Sequence, residues 1–334
     1  MHLVITDVLV PSVAFDDWLA DLALPHLNKL LATAEFVEDE TPIADVQRTM
    51  PATRFLAQAL GVQASIDTAP VAAADRAARG LSVENGWWIA DPVHFALARD
   101  HVQLGDHAPS LTADEANALA DTARAIVEEG GGTLETPSPT RWHLRHPELI
   151  DLNAGEPLRA LGRNIDLWLP DGAHDATRAW RRLHTEIQMS WHAHPVNEAR
   201  EAAGLPTINA LWLWGGDTPI KSGEIAQVVV KDAPPSLARD FAALARQLGV
   251  HTSKGAPSLR VHDELALHAA REDVIAWRTA LATLDANHLA PLAAAGKPVM
   301  LTLCGETLWR TYCCNPRQHW RFWRRSSLRQ RLSV

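Results

Sequence analysis

The chain has little of the chemistry that staples or anchors a protein. Its 334 residues contain only three cysteines, Cys304, Cys313 and Cys314. An odd, sparse set excludes a disulfide framework and suits a reducing compartment. Adding His319 to the three gives no standard zinc spacing. No apolar run approaches the roughly 20 residues of a membrane span. The opening MHLVITDVLVP lacks a basic n-region and is interrupted by Asp7, so it does not read as a signal peptide, and the expected location is the cytoplasm. Excess positive charge is missing too: 31 Lys and Arg stand against 40 Asp and Glu, a net charge of −9. Nucleic-acid binding needs a basic face and is not expected.

Tyrosine is down to one while tryptophan reaches thirteen. Tryptophan at this density fills cores and crevices or stacks bases, and in an acidic chain the core is the expected place. The charge is uneven. The last twenty residues, NPRQHWRFWRRSSLRQRLSV, hold six of the 31 basic groups and no acid, which leaves residues 1–314 with a net charge of −15. Trp320, Phe322, Trp323, Leu328 and Leu332 alternate there with Arg321, Arg324, Arg325, Arg329 and Arg331. Such a segment docks an acidic partner or membrane surface, or packs its aromatics on the protein's own body.

What is present is an alternation of strands and helices. Residues 2–10 read as a buried strand, followed by one amphipathic helix through WLADLALPHLNKLLATA. The Ala-rich stretch 69–78 reads as a connecting loop or short helix. Residues 86–145 read as short strands with turns, interrupted by a helix starting at Thr112, where T-A-D-E makes a capping box, and ending at Gly130–Gly132. A helix from 174 puts Trp180, Leu183, Ile187 and Trp191 on one face and stops at HPVN. Strands at 208–214, 225–231, 258–262 and 299–304 then alternate with helices, the last of these being the last strand expected. This pattern predicts an α/β fold with a mostly parallel sheet covered by helices. The expected organisation is one α/β domain from 1–85 plus 205–312, a smaller inserted α/β domain at 86–204, and a basic Trp/Arg-rich tail at 313–334.

In such folds ligands sit beyond the carboxyl ends of strands. Asp7 follows the first strand, Gly215, Gly216 and Asp217 follow 208–214, His262 and Asp263 follow 258–261, and Cys304, Gly305 and Glu306 follow 299–303. Asp7, Asp263 and His268 are types that bind a hard divalent metal; a turn-forming Asp or a capping His is the plainer alternative. In R-T-M-P-A-T (48–53), Thr49 precedes a helix amino end, where either a nucleophile or a plain N-cap belongs.

Residues 194–216, HPVNEAREAAGLPTINALWLWGG, resemble the conserved segment of archaeal-type cofactor-independent phosphoglycerate mutases of the alkaline-phosphatase superfamily. LPHLNKLLA (24–32) is similar to that superfamily's early helix, and RVHDELALHAARED (260–273) to its HDE-then-His segment. The combination of DPVHFALARDHVQLGD, TPSPTRWHLRHP, LGRNIDLWLP, HPVN and LTLCGE resembles a bacterial family of RpfE-type regulatory proteins. The likeness covers most of residues 1–310 and is strongest over 160–310. It implies an alkaline-phosphatase-like sheet with a smaller inserted domain. The mutases carry an Asp-Gly pair after the first strand, a Ser nucleophile and a late Asp-His pair around two metal ions. Here Val8 follows Asp7, Thr49 stands at best for the nucleophile, and Cys304-Gly305-Glu306 replaces Asp-His. The resemblance thus implies a largely dismantled metal site and a non-catalytic regulatory or phospho-ligand-binding protein. No cofactor is expected, and Arg163, His194, Asn197 and Arg200 would hold a small phosphorylated ligand. The alternative is an active mutase or metal-dependent phosphatase using Thr49, Asp7, Asp263 and His268 with Mn or Zn, Glu306 or His262 completing the shell.

Overall fold

The residues His2–Ile5 form a strand buried on both faces, and the first sheet is assembled around it. The computed structural model describes the chain apart from residues 33, 41–45, 107–108, 217–224, 231–235 and 316–326. The chain opens with β1 (His2–Ile5), the short helices α1 (Phe15–Leu19) and α2 (Pro25–Leu31), and β2 (Glu35–Asp39). Helices α3 (Pro51–Ala59) and α4 (Val71–Ala78) lead to the hairpin β3 (Trp87–Leu97) and β4 (Val102–Asp106), then α5 (Ala113–Glu129). The hairpin β5 (Thr133–Ser138) and β6 (Arg141–Arg145) is followed by β7 (Leu152–Asn153), α6 (Pro157–Ala160), β8 (Asp171–Gly172), α7 (His174–His192), α8 (Pro195–Ala202) and β9 (Ala210–Trp214). The remainder is β10 (Val229–Val230), α9 (Leu237–Gln247), β11 (Ser258–His262), α10 (Ala266–Ala270), α11 (Val274–Leu284), α12 (Ala290–Ala295), β12 (Val299–Cys304), β13 (Trp309–Cys314) and α13 (Leu328–Leu332).

The first sheet runs β10-β11-β1-β12-β13-β2 and is mixed. The pairs β10–β11, β11–β1 and β1–β12 are parallel, while β13 is antiparallel to both β12 and β2. The mostly parallel sheet expected from the alternation is therefore parallel on one side only. A short connection at residues 305–308 folds β13 back on β12 as a hairpin, which a parallel pair cannot do. It also moves Cys313 and Cys314 out of the expected tail and into a strand. The second sheet is antiparallel, β4-β3-β6-β5 with β9 on the other side of β3. Residues 210–214, expected in the first sheet, thus complete the second. Ile89 pairs with Trp214 and Val93 with Ala210, and β3 and β9 bury apolar side chains together.

The helix expected through residues 18–34 is two helices. Asp21 adopts a left-handed φ of 59°, and Pro25 opens α2 as its first residue. The 69–78 stretch is α4, with seven of its eight residues buried. The capping box forms as predicted, Thr112 Oγ1 accepting from the Glu115 amide and Glu115 from the Thr112 amide. Tryptophan does fill the core: Trp88, Trp142, Trp180, Trp191, Trp212 and Trp277 are among the largest fully buried side chains. Among the described residues, no helix is long and apolar enough to cross a membrane.

Two cores result. One joins α3, α4 and α9 to the second sheet with α5 and α7; the other packs α1, α2, α11 and α12 on the far face of β1, β12 and β13. Residues 327–334 close onto the second core. Leu332 is fully buried, its carbonyl accepts from the Val10 amide, and Arg329 pairs with Asp16 at 2.7 Å. The aromatic part of the basic segment, 316–326, lies outside the described residues, as do His319 and Asp217.

No side chain of its own caps α2. The buried Asp285 supplies the cap, accepting from the Leu27 amide at 2.6 Å and the His26 amide at 3.3 Å. Asp285→Ala leaves those amides without a partner, and urea denaturation should show a loss of about 1–3 kcal/mol. A loss below about 0.5 kcal/mol would mean that solvent replaces the cap.

Candidate functional site

From β1 the chain passes to the β2 edge of the first sheet and re-enters it at the β10 edge. The carboxyl end of β1 is therefore where a crevice is expected. A cleft of about 820 Å³ opens there, between the first sheet and the β5–β6 turn. Thr6 and Asp7 from β1's end, Val261 and Asp263 from β11's end, and Met50 and Thr53 from α3 line one side. Asp75 and Arg79 of α4, Arg141 of β6, Trp214 of β9, and Arg239 and Asp240 of α9 line the other.

Asp7 takes a left-handed φ of 51°, which Asp tolerates better than most residues. The turn is pinned by the Val8 and Leu9 amides donating to the Cys304 carbonyl, and by Trp277 Nε1 donating to the Asp7 carbonyl at 2.8 Å. Burial pushes the Asp7 carboxyl up to about 7, with nearby Glu306 and Asp263 adding to the rise and Arg159 opposing it. Burial likewise raises Glu156 to about 7, against hydrogen bonds from the Met50 amide and Thr53.

Glu156 decides the chemistry of the α3 amino end. Its Oε1 accepts from the Met50 amide at 2.7 Å, and its Oε2 from the Thr53 hydroxyl at 2.9 Å. An anion site made by a helix start is thus filled by the chain's own carboxyl group. Thr49 stands just before α3, as expected, but it is buried and turned into its own loop. Its hydroxyl donates to the Ser65 carbonyl at 2.6 Å and accepts from Arg54 at 3.1 Å. It is not among the residues lining the cleft. Arg54 is itself held by Glu40 at 2.6 Å and Gln47 at 2.7 Å.

The opposite wall is a lattice of ion pairs. His143 Nε2 lies 2.8 Å from Asp75, and Arg79 Nε donates to Asp75 at 2.6 Å. Burial opposes ionisation of Asp75, yet these two bonds hold it at about 2, well inside its charged range. Arg141 lies 3.2 Å from Asp91, which burial pushes up to about 6 against that pairing. Asp240 also rises to about 6, through burial and the charge of Asp75. Arg239 is exposed at the mouth of the cleft. The cleft lining thus sets three guanidinium groups, of Arg79, Arg141 and Arg239, among five carboxyl groups, of Asp7, Asp75, Glu156, Asp240 and Asp263, with Arg79 and Arg141 already paired to acids and Asp7 and Glu156 drawn toward their neutral forms.

The residues expected to bind a ligand are placed elsewhere. Asn197 donates to the Trp191 and Ile208 carbonyls and accepts from the Ile208 amide, each at 2.8 Å. Arg200 donates to the Pro206 and Ser110 carbonyls and to Glu115 at 2.9 Å. His194 caps α8 through its Nδ1. The HPVN stretch with Arg200 is thus a clamp joining α7, α8, α5 and β9, in which Asn197 and His194 Nδ1 bond the backbone and Arg200 bonds two carbonyls and Glu115. Arg163 ion-pairs with Glu306, which Arg159 also contacts through the backbone carbonyl at 2.7 Å. Burial opposes ionisation of Glu306, but the Arg163 hydrogen bond and the charges of Arg163 and Arg159 together outweigh it and hold the carboxyl below its usual range. None of these residues lines the cleft.

The metal set does not converge either. Asp7 and Asp263 share the cleft, but His268 on α10 does not line it. Among the described residues, one trio of His, Cys, Asp or Glu brings its ligand atoms within 4.8 Å of one another, and it is not this one. Of the expected metal set, Asp7 and Asp263 are the members that the structure brings to the cleft.

The groups that sequence reasoning missed are Glu156, Arg79, Arg141 and Arg239. One signal existed for α4: Asp75, Arg76 and Arg79 interrupt an otherwise Ala-rich buried helix, and charges in such a place need partners or a crevice.

No protein-family model and no curated protein matches the chain. Among solved structures, a cofactor-independent phosphoglycerate mutase from Thermoplasma acidophilum DSM 1728 is similar at 14% identity and a TM-score of 0.36, over 94% of this chain and 89% of that one. The PH0037 protein from Pyrococcus horikoshii is similar at 14% identity and a TM-score of 0.47, over 94% of this chain and 87% of that one. Likenesses at this level carry no argument about this chain's chemistry.

Asp7 makes stability depend on pH in a known direction. The unfolded chain ionises near pH 4 and the folded carboxyl near 7, so the folded state keeps the proton across that window. Stability should fall as pH rises from about 4 to about 7 and then level off. Asp7→Asn, which suits the left-handed turn, should flatten that fall and stabilise the protein at pH 8 by at most on the order of 3–4 kcal/mol. Urea midpoints from pH 4 to 8 measure this; an unchanged slope would place the dependence on other groups, Glu156 first.

Proposed function

We propose that this chain is a phosphoglycerate-mutase-like protein without the catalytic metal centre, which binds a small phosphorylated ligand in the cleft. The observation that carries the reading is Glu156. It takes up the Met50 amide and the Thr53 hydroxyl, the donors with which α3 would otherwise meet a phosphate or an activated nucleophile. The Thr49 hydroxyl has a backbone acceptor and an arginine donor already. A nucleophile needs a base within reach and a path to substrate, whereas Thr49 is buried and does not line the cleft.

The ligand class rests on the resemblance of residues 194–216 and 260–273 to the mutases, and on the arginines of the cleft. Arg79, Arg141 and Arg239 offer planar guanidinium groups suited to phosphate and carboxylate oxygens. These replace Arg163, His194, Asn197 and Arg200 as the proposed ligand set. A domain built from both chain ends, with residues 86–216 forming the smaller unit, is part of the same proposal.

Calorimetry with 3-phosphoglycerate should show saturable binding, weakened about tenfold in Arg239→Ala, the loss of roughly one charge-assisted hydrogen bond. Thr49→Ala should leave that binding unchanged. The same sample, assayed for interconversion of 3- and 2-phosphoglycerate with and without Mn²⁺, should show no turnover. Metal-dependent turnover that disappears in Thr49→Ala would overturn the reading in favour of an active mutase or phosphatase.

A further inference from the structure

His262 ends β11 between two residues that line the cleft, Val261 and Asp263, so strand alternation sends its side chain away from the cleft. That side chain is 5% exposed. Its Nδ1 lies 3.1 Å from Glu264 Oε1, and its ring lies against that of His288 with centroids 4.5 Å apart. One ligand atom from each of His262, Glu264 and His288 lies within 4.8 Å of the other two. Among the described residues no other trio of such groups is so close.

Two further observations single out this cluster. His262 Nε2 is buried and has no hydrogen-bond partner among the described residues. A buried polar atom in that state needs a water or an ion to account for it. Furthermore, His288 is carried on a π-helical turn, Asp285–Leu289, between α11 and α12. Such turns are rare and are frequently found at functional sites. This one is locked by Asp285, whose carboxylate caps α2. The backbone turn that carries His288 is therefore tied to the start of α2.

We propose that His262, Glu264 and His288 form a binding site for a late first-row divalent cation of the zinc type. Two imidazole nitrogens and one carboxylate oxygen are the donors that such ions prefer, whereas Mg²⁺ and Ca²⁺ take shells of oxygen alone. Glu264 is exposed, so solvent water has access to complete the coordination. The bound ion ties the turn after β11 to the rod of α11 and α12. The site is separate from the cleft and does not depend on the phospho-ligand reading.

The test uses the full-length protein, stripped with a chelator and titrated with Zn²⁺ by calorimetry and with Co²⁺ by visible absorption. One equivalent should bind, with Co²⁺ giving ligand-field bands and no thiolate charge-transfer band. The unfolding temperature should rise with free metal, because the site exists only in the folded chain. His288→Gln and Glu264→Gln should each weaken binding by about tenfold or more, with circular dichroism confirming that the metal-free variants are folded. His268→Gln should retain full affinity. Absence of saturable binding, a thiolate band, or affinity unchanged in both His288→Gln and Glu264→Gln would overturn the proposal.

Discussion

The structure hangs on the turn that follows β1. Its amides at Val8 and Leu9 donate to the Cys304 carbonyl, and Trp277 donates to the Asp7 carbonyl. These bonds join the first strand, the last parallel strand and the longest helical rod of the second core at one point. They also fix Asp7 in a left-handed conformation at the floor of the cleft. With its backbone held in this way, the side chain has no freedom to escape burial, and burial sets its proton affinity. Fold and electrostatics of the cleft are settled by the same few hydrogen bonds.

The two walls of the cleft differ in kind. Toward β1 and α3, Asp7 and Glu156 are buried carboxyl groups drawn toward neutrality. Toward α4 and β6, Asp75 is held in its charged form by His143 and Arg79. The first wall contributes hydrogen bonds with little charge, and the second contributes guanidinium groups whose paired acids are already in place.

Much of the local structure was legible in the sequence. T-A-D-E marked the start of α5, the apolar stripe of α7 buried as its spacing implied, and β9, β10, β11 and β12 were found near their true positions. The strands of the first sheet that were missed, β2 and β13, lie on its antiparallel side. Four of the five residues of β2 are exposed, and its Glu-Phe-Val-Glu-Asp carries no buried face to read. β13 follows β12 across a short connection, but its pairing with β2 spans more than 270 positions and is not written in a local pattern. The cleft was half legible: strand ends pointed to Asp7 and Asp263. Arg79, Arg141 and Arg239 come from three elements that only the tertiary fold brings together. The conspicuous HPVN string drew the ligand assignment because its polar residues looked available, whereas each of them already serves the backbone.

The register of β1 has a bearing on how the chain is made. Leu3 pairs with Arg260 and with Leu301, so this strand has no neighbour in its own sheet until the greater part of the polypeptide has left the ribosome. The antiparallel sheet draws all its strands from residues 87–214 and can close long before. During synthesis the opening residues are therefore an apolar segment with both edges unpaired, the state in which a nascent chain is exposed to aggregation and to capture by chaperones.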